Sequence, residues 1–198
     1  MKPVILGITG TIASGKTVFT QALGKLGFEV LNADKIIADL CKKDHEGYKE
    51  LLKLKIPGLI NKKGELNKEV LRELVFNDAR TRKRVEHALH PLAIKAIEKR
   101  FSELEKGAKL AVEIPLLYEA NMEGLFDYTI VVYRNESKVI DSVSKKYGID
   151  HKKAKNLLGI QMSCGEKILL ADILVINNGT VEDLNAKAKR LCSLLSLL

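Results

Sequence analysis

Gly10-Thr11-Ile12-Ala13-Ser14-Gly15-Lys16-Thr17 fits the pattern G-x-x-x-x-G-K-[ST] of a phosphate-binding loop. An apolar run at residues 4–8 precedes it, and apolar residues recur at helical spacing after it, which predicts the order strand, loop, helix. Glycines let the backbone curl so that successive N–H groups point at phosphate oxygens. The helix N-terminus adds partial positive charge there. The stretch therefore predicts a site for the phosphates of a nucleotide.

Two side chains at the end of this stretch carry specific expectations. We expect Lys16 to reach the β- and γ-phosphates and the Thr17 hydroxyl to bind Mg²⁺. Eight residues are predicted to contact the nucleotide: Gly10, Thr11, Ile12, Ala13, Ser14, Gly15, Lys16 and Thr17.

The composition limits the class of protein and of partner. With 198 residues, 46% of them apolar and 29% charged, the chain is expected to form one soluble domain. The net charge of +8 favours anionic ligands such as polyphosphates, although from charge alone a lysine-rich solvated surface is the simpler account. An aromatic content of 5% without Trp argues against stacking on single-stranded nucleic acid.

The cysteines and the terminal apolar runs point to the cytoplasm. Cys41, Cys164 and Cys192 are far apart, so neither a disulfide framework nor a zinc site is indicated. The N-terminal apolar run is too short for a signal peptide. The apolar residues 191–198 are too few to span a bilayer and are expected to pack the last helix onto the core.

Two carboxylates lie close to the ends of predicted strands. Residues 28–31 predict a second strand, after which Asp34 opens a helix. Glu113 lies near the end of a strand predicted at residues 109–114. In alternating β/α chains, sites form beyond the carboxyl ends of the strands, so Asp34 is a candidate for chemistry; the alternative is a helix N-cap. Glu113 is expected either to hold a metal through water or orient an acceptor, or to pair with a neighbouring lysine.

The middle of the chain is mostly helical, from about residue 41 to residue 106, and rich in Lys and Arg. It is a natural acceptor-binding insert. We expect His90-Pro91 to interrupt a helix there, with a buried histidine at the kink, because the residue before a proline is pushed out of helical geometry. Residues 134–161 read as two lysine-rich helices, which form either a lid over the phosphates or a solvated helical hairpin.

Five predicted strands alternate with helices, the last two at residues 128–133 and 173–176. This alternation predicts an α/β fold with a parallel sheet and right-handed crossovers. The final helix is expected to begin near Thr180, with Thr180 capping the Asp183 N–H. We predict a single domain over residues 1–198. Its core covers about 1–40, 107–133 and 168–198, the insert about 41–106 and the lid about 134–167.

Taken in order, these motifs resemble the dephospho-coenzyme A kinase family over essentially the whole chain. His-Pro followed by Pro-Leu-Leu-x-Glu is the most specific part. The matching segments are residues 9–17, Asn32-Ala33-Asp34, Leu89-His90-Pro91, Glu113-Ile114-Pro115-Leu116-Leu117-Tyr118-Glu119, Gln161, and the stretch from Ala171-Asp172 through Asn177-Asn178-Gly179.

The resemblance implies a three-layer P-loop kinase fold: a five-stranded parallel sheet flanked by helices, with a helical acceptor-binding insert and a lid. The implied reaction is phosphoryl transfer from ATP, with Mg²⁺, to the ribose 3′-hydroxyl of dephospho-coenzyme A. Both partners are small molecules, with neither nucleic acid nor membrane involved. Asp34 is the implied base, and Lys16 the implied catalytic cation. Further ATP contacts are implied at Val18, Asn178 and Gly179, and acceptor contacts at Thr9, Asp34, His90, Glu113, Pro115, Leu116, Leu117, Lys146 and Gln161.

The sequence departs from the family pattern in the lid and in the loop. Ser142 and Lys146 stand where the lid usually carries two arginines; Arg134, Lys145, Lys146, Lys152 and Lys153 are the candidates to supply the missing charge. Thr11 and Ala13 replace glycines, and a β-carbon at Ala13 requires a negative φ. The remaining alternatives are a kinase for another nucleoside or nucleotide, a nucleotide-dependent switch protein and a basic nucleic-acid binder.

Overall fold

The computed structural model describes residues 2–195 and contains one parallel five-stranded sheet. Its strands are β1 (Val4–Thr9), β2 (Glu29–Asn32), β3 (Lys109–Glu113), β4 (Tyr128–Tyr133) and β5 (Ile173–Ile176), in the order β2-β3-β1-β4-β5. The predicted α/β fold with a parallel sheet is confirmed, and the predicted strands agree to within one residue at either end. The last three residues of the apolar C-terminal run lie outside the described residues.

Helices connect these strands and also form the middle of the chain. None of the helices within residues 2–195 is long and apolar enough to cross a membrane. Their bounds are α1 (Lys16–Lys25), α2 (Ala33–Leu40), α3 (Glu46–Lys53), α4 (Lys68–Asn77), α5 (Ala79–Ser102), α6 (Glu136–Tyr147), α7 (His151–Leu158), α8 (Cys164–Leu170) and α9 (Val181–Leu195).

The chain divides into two compact units, which we call the sheet unit (residues 2–32 and 104–195) and the helical unit (residues 33–103). In the sheet unit, α1 and α9 bury apolar side chains against the sheet. Leu6, Ile8, Phe19 and Leu23 are completely buried in this core. Helix α9 begins as predicted, because Thr180 and Asp183 cap each other's backbone N–H groups.

The helical unit has a small core of its own, in which Leu51, Leu59, Val85 and Leu89 are buried. The predicted break at His90-Pro91 is wrong. Helix α5 runs unbroken through Pro91, and His90 is half-buried within it. Proline removes one helical hydrogen bond, but the buried residues of α5 recur every four positions and keep one face packed: Thr81, Val85, Leu89, Ala93 and Ile97.

The two helices predicted in residues 134–161 are confirmed as α6 and α7. Helix α8 was not predicted, although its sequence carries a start signal. The Ser163 side chain accepts from the Glu166 N–H, and the Glu166 side chain accepts from the Ser163 N–H. This reciprocal cap satisfies two of the four N–H groups that a helix start leaves open.

Candidate active site

The phosphate loop, residues 10–17, curls between the buried end of β1 and the start of α1. Gly10 has φ 143° and Gly15 has φ 99°, backbone angles that residues with a β-carbon rarely adopt. A β-carbon at Gly10 would also collide with the Val132 carbonyl oxygen, and one at Gly15 with the Asn177 side chain. Within residues 2–195, no side chain caps the start of α1. The sequence thus forms the curled loop and open helix N-terminus that bind anions.

The expected negative φ at Ala13 is wrong, because Ala13 has φ 59°. This left-handed conformation costs a non-glycine residue about 1–2 kcal/mol. Two kinds of contact stabilise it: Ile12 and Ala13 pack against the buried Val139 and Val143 of α6, and the Ala13 carbonyl accepts from Arg134 Nη1 at 3.4 Å.

The Lys16 ammonium is held at the centre of the loop. The residue as a whole is 7% exposed, and its Nζ donates to the carbonyl oxygens of Gly10 and Thr11 at 2.9 and 2.8 Å. Asn177 Nδ2 donates to the Ser14 carbonyl at 2.8 Å and so fixes the far side of the loop to the end of β5. A buried cation in this position adds to the positive potential of the loop amides.

Thr17 and Glu113 meet beside the loop. The Thr17 hydroxyl donates to Glu113 Oε1 at 2.7 Å, and Asn32 Nδ2 donates to Oε2 at 3.0 Å. Glu113 is 5% exposed, opposite Ile8 and Asn32 on the neighbouring strands. The partners of Glu113 are thus the Thr17 hydroxyl and the Asn32 amide, not the neighbouring lysine that was one of the expectations. Its expected roles in holding a metal or orienting an acceptor stay predictions.

The turn after β3 is held through one carbonyl. The Pro115 carbonyl accepts from the Thr9 hydroxyl at 3.2 Å and from Lys167 Nζ at 2.6 Å. Lys167 is completely buried and pairs with Glu119 at 2.9 Å. Burial lowers the pKa of Lys167, and the Glu119 carboxylate opposes that shift. In the same turn Leu116 is half-buried and Leu117 is completely buried.

A cavity of about 520 Å³ lies beside the loop within the sheet unit. Gln161 lines it, and Gln161 Oε1 is a buried atom without a hydrogen-bond partner among the described residues. Burial raises the pKa of the Cys164 thiol at the cavity wall, so the thiol is protonated at neutral pH. The lining residues are Thr11, Tyr133, Arg134, Glu136, Val139, Lys155, Leu158, Gly159, Gln161, Ser163, Cys164, Gly165 and Glu166.

The segment between β5 and α9 joins the β4–α6 connection. Asn178 Oδ1 accepts from the Asn135 N–H at 2.8 Å, and the Asn178 carbonyl accepts from Lys138 Nζ at 2.7 Å. A β-carbon at Gly179 would collide with the Asp183 carboxylate that caps α9. Both residues therefore have structural roles, and their contact with a nucleobase stays a prediction.

The remaining predicted residues lie on helices α1, α2, α5 and α6. Asp34 is the second residue of α2 and is exposed in its first turn, so the N-cap alternative is wrong. Asp34 and His90 belong to the helical unit. In the sheet unit Val18 is 36% exposed on α1, and the exposed Lys146 lies over the Tyr147 ring, 5.3 Å from its centroid.

Sequence reasoning missed two residues that hold the site together, Asn177 and Lys167. Asn177 belongs to a quoted motif, but nothing in the chain shows that its amide reaches the phosphate loop. Lys167 looks like one surface lysine among many, and its burial depends on how α8 packs. The Ser163–Glu166 cap predicts α8 but not the partner of Lys167.

Loop amides, the Lys16 ammonium and the open N-terminus of α1 converge on one anion site at the carboxyl end of β1. A parallel sheet ordered β2-β3-β1-β4-β5 holds that site, and the protein is thus a P-loop nucleotide-binding α/β protein by class. A family model for dephospho-CoA kinase matches residues 4–183. The chain belongs to the dephospho-CoA kinase family.

Individual relatives agree with this assignment. A dephospho-CoA kinase from Carboxydothermus hydrogenoformans is 31% identical over 180 residues, covering 90% of this chain and 87% of the relative. The crystal structure of TT1252 from Thermus thermophilus is 30% identical, with a TM-score of 0.81, covering 98% of this chain and 99% of that one. Dephospho-CoA kinase from Campylobacter jejuni has a TM-score of 0.71 at 24% identity, with 98% of both chains covered, and shows the fold alone. The family phosphorylates dephospho-CoA to coenzyme A with ATP as a substrate, so this chain is a phosphotransferase of coenzyme A synthesis.

Proposed function

We propose that the chain transfers the γ-phosphoryl group of ATP to the ribose 3′-hydroxyl of dephospho-coenzyme A, with Asp34 as the base. The observation that carries the proposal is the loop around Lys16, with the Thr17–Glu113 pair beside it. A phosphoryl-transfer site works mainly by positioning its substrates and stabilising charge at the transferred group. The loop, Lys16 and the Thr17–Glu113 pair provide the charge-stabilising part at one end of the sheet.

The loop amides and Lys16 bind the phosphates in this proposal. Lys16 is held by two carbonyl oxygens at the loop, so little side-chain freedom remains to be lost when phosphate oxygens take their place. The ammonium then stabilises negative charge that builds up on the β- and γ-phosphates during transfer.

Mg²⁺ fits the donor set next to Lys16. The Thr17 hydroxyl oxygen and Glu113 Oε1 lie 2.7 Å apart, and both are oxygen atoms that can act as metal ligands. Mg²⁺ typically takes one or two protein oxygens together with water and substrate phosphates. Residues 2–195 contain no group of three or more His, Cys, Asp or Glu side chains arranged to hold a metal. Thr17 would bind the ion directly and Glu113 through water. When bound, the ion neutralises charge on the phosphates.

Asp34 accepts the proton of the acceptor hydroxyl. One residue separates it from Asn32, the last residue of β2, whose side chain contacts Glu113 at the carboxyl end of β3. The side chain is exposed in the first turn of α2, so a substrate hydroxyl can approach it. As the acceptor oxygen bonds to the γ-phosphorus, the bond from that phosphorus to the β,γ-bridging oxygen breaks, and the products are the phosphate ester, ADP and neutral Asp34.

The remaining predicted residues complete the proposal. Val18, Asn178 and Gly179 contact ATP together with the loop. Dephospho-coenzyme A, the acceptor, binds against eight further residues: Thr9, His90, Glu113, Pro115, Leu116, Leu117, Lys146 and Gln161. We propose a cytoplasmic location, where both small-molecule substrates are present.

The test is an assay of the purified protein with ATP, Mg²⁺ and dephospho-coenzyme A, with coenzyme A identified by mass. We expect coenzyme A to form only when all three are present, and chelation of the metal to stop turnover. Adenosine and AMP serve as matched acceptors, since they share the nucleoside part of the substrate. Faster ATP consumption with either of them than with dephospho-coenzyme A would assign the site to a different kinase. ATP hydrolysis that no acceptor accelerates would favour a nucleotide-dependent switch.

A further inference from the structure

We infer that Arg134 is the second phosphate-binding cation of this site and contacts the terminal phosphates of the bound nucleotide. The inference rests on the proposed phosphoryl transfer and assigns a residue that the phosphate-loop pattern does not include. It also selects one of the five residues that the sequence offered as replacements for the two missing lid arginines.

The position of Arg134 is fixed from two sides. It follows the last residue of β4 directly, at the same end of the sheet as the phosphate loop. Its Nη1 atom donates to the Ala13 carbonyl of the loop at 3.4 Å and to the Ser142 hydroxyl of α6 at 3.2 Å. The guanidinium therefore bridges the loop and α6.

Ser142 is oriented to support this arginine. Its hydroxyl donates to the Lys138 carbonyl of the same helix at 2.8 Å, so the oxygen lone pairs remain to accept from Arg134. A guanidinium carries five N–H donors, and those on Nη2 and Nε have no protein acceptor among residues 2–195. Arg134 and Thr11 both line the 520 Å³ cavity, so unused donors lie beside the loop where a polyphosphate would bind.

The competing lysines are less well placed. Lys146 lies over the Tyr147 ring, and Lys145, Lys152 and Lys153 are exposed. None of these four lines the cavity. Lys155 does, but it is an exposed point charge, whereas a guanidinium binds two phosphate oxygens at once.

The test compares Arg134→Met with Arg190→Met. Arg190 is the other arginine of the sheet unit and is exposed on α9, so the control removes the same group from the same unit. We expect Arg134→Met to lower kcat/KM for ATP roughly 10²–10³-fold, the usual loss when one transition-state donor is removed. Binding of ATP without acceptor should weaken while binding of AMP, which lacks the terminal phosphates, is unchanged. Arg190→Met should match the unmodified protein in kcat/KM for ATP, in ATP affinity and in AMP affinity.

Two outcomes would overturn the inference. One is an Arg134→Met variant with normal ATP affinity and turnover. The other is an equal loss of ATP and AMP binding with a lower Tm, because that pattern means that Arg134 only holds the loop in shape. The ATP and AMP affinities are measured without acceptor, so these two readouts stand apart from whether coenzyme A is the product.

A double-mutant cycle tests the supporting role of Ser142. Ser142→Ala should weaken ATP binding in the unmodified protein and have no further effect in the Arg134→Met background, because the hydroxyl acts through the guanidinium. Equal effects in both backgrounds would contradict that role. Arg134→Lys should recover only part of the lost ATP affinity, since it restores the charge without the fork.

Discussion

The phosphate loop is held by polar contacts to its own backbone, whereas the helical unit is held by apolar packing. In the loop, the carbonyls of Gly10, Ala13 and Ser14 accept from Lys16, Arg134 and Asn177. The helical unit buries Leu51, Leu59, Val85 and Leu89 at its centre and keeps most of its Lys and Arg side chains near the surface. The loop should therefore be sensitive to the loss of a single polar group, and the helical unit to the loss of apolar volume.

The largest effect is expected for Lys16→Met, which tests the polar side of this comparison. Its ammonium binds two loop carbonyls and is nearly buried. Removal of such a donor should lower kcat/KM roughly 10²–10³-fold, or about 3–4 kcal/mol of barrier, with weaker ATP binding. Steady-state kinetics and calorimetric ATP titration measure these quantities.

Lys25→Met is the matched control, because Lys25 is exposed in the last turn of the same helix, α1. Equal losses in the two variants, or normal kinetics in Lys16→Met, would mean that the loop does not act through its lysine.

Leu89→Ala tests the apolar side of the comparison. Leu89 is 5% exposed in the core of the helical unit, and a truncation of this kind costs about 2–5 kcal/mol of unfolding free energy. Leu52→Ala is the control, since Leu52 is 43% exposed on α3. We expect urea unfolding to show the loss for Leu89→Ala only, with ATP affinity unchanged in the folded protein. A parallel fall in ATP affinity would show that the two units do not respond independently.

A smaller effect is expected from Asp172 at the start of β5. Its carboxylate accepts from the Thr129 N–H and hydroxyl at 2.7 and 2.8 Å. These two hydrogen bonds, first the one from the backbone N–H, lower the pKa of Asp172 below its usual value. A carboxyl group whose pKa is lower in the folded state than in the unfolded state stabilises the fold at pH values above its unfolded-state pKa. That stabilisation is lost as the pH falls through the folded-state pKa.

The unfolding free energy should therefore fall less steeply below pH 4 for Asp172→Asn than for the unmodified protein. Chemical denaturation between pH 2.5 and pH 7, a range of about 4.5 units around the carboxyl pKa values, measures this. Identical pH slopes would contradict the role given to the Thr129 bonds.

Local sequence signals predicted the sheet well. The buried runs, the Gly-rich loop and the Thr180–Asp183 cap each depend on neighbours along the chain, so all of them could be found without a structure. The break at Pro91 was wrong because the preference of His90 for extended geometry is weaker than the packing of one long helix face, with Leu89 and Ala93 buried on either side.

The long-range parts of the site could not be predicted. The φ of Ala13 depends on contacts with Arg134 and α6, which lie more than 100 residues away. The Asn177 contact to Ser14 and the Lys167 contact to Pro115 likewise join distant segments. Sequence spacing identifies residue types suited to phosphate chemistry, but packing decides which lysine or arginine reaches the loop.

The central claim is that Asp34 is the base of a phosphoryl transfer whose donor is held by the phosphate loop. Its most direct test is the turnover of Asp34→Asn with ATP, Mg²⁺ and dephospho-coenzyme A, beside Asp39→Asn on the same helix, where Asp39 is exposed and paired with Lys42. We predict that Asp34→Asn lowers kcat roughly 10²–10⁴-fold, as removal of a general base does, while ATP affinity is unchanged and Asp39→Asn behaves as the unmodified protein. Near-normal turnover in Asp34→Asn, or the same loss in both variants, would contradict the account.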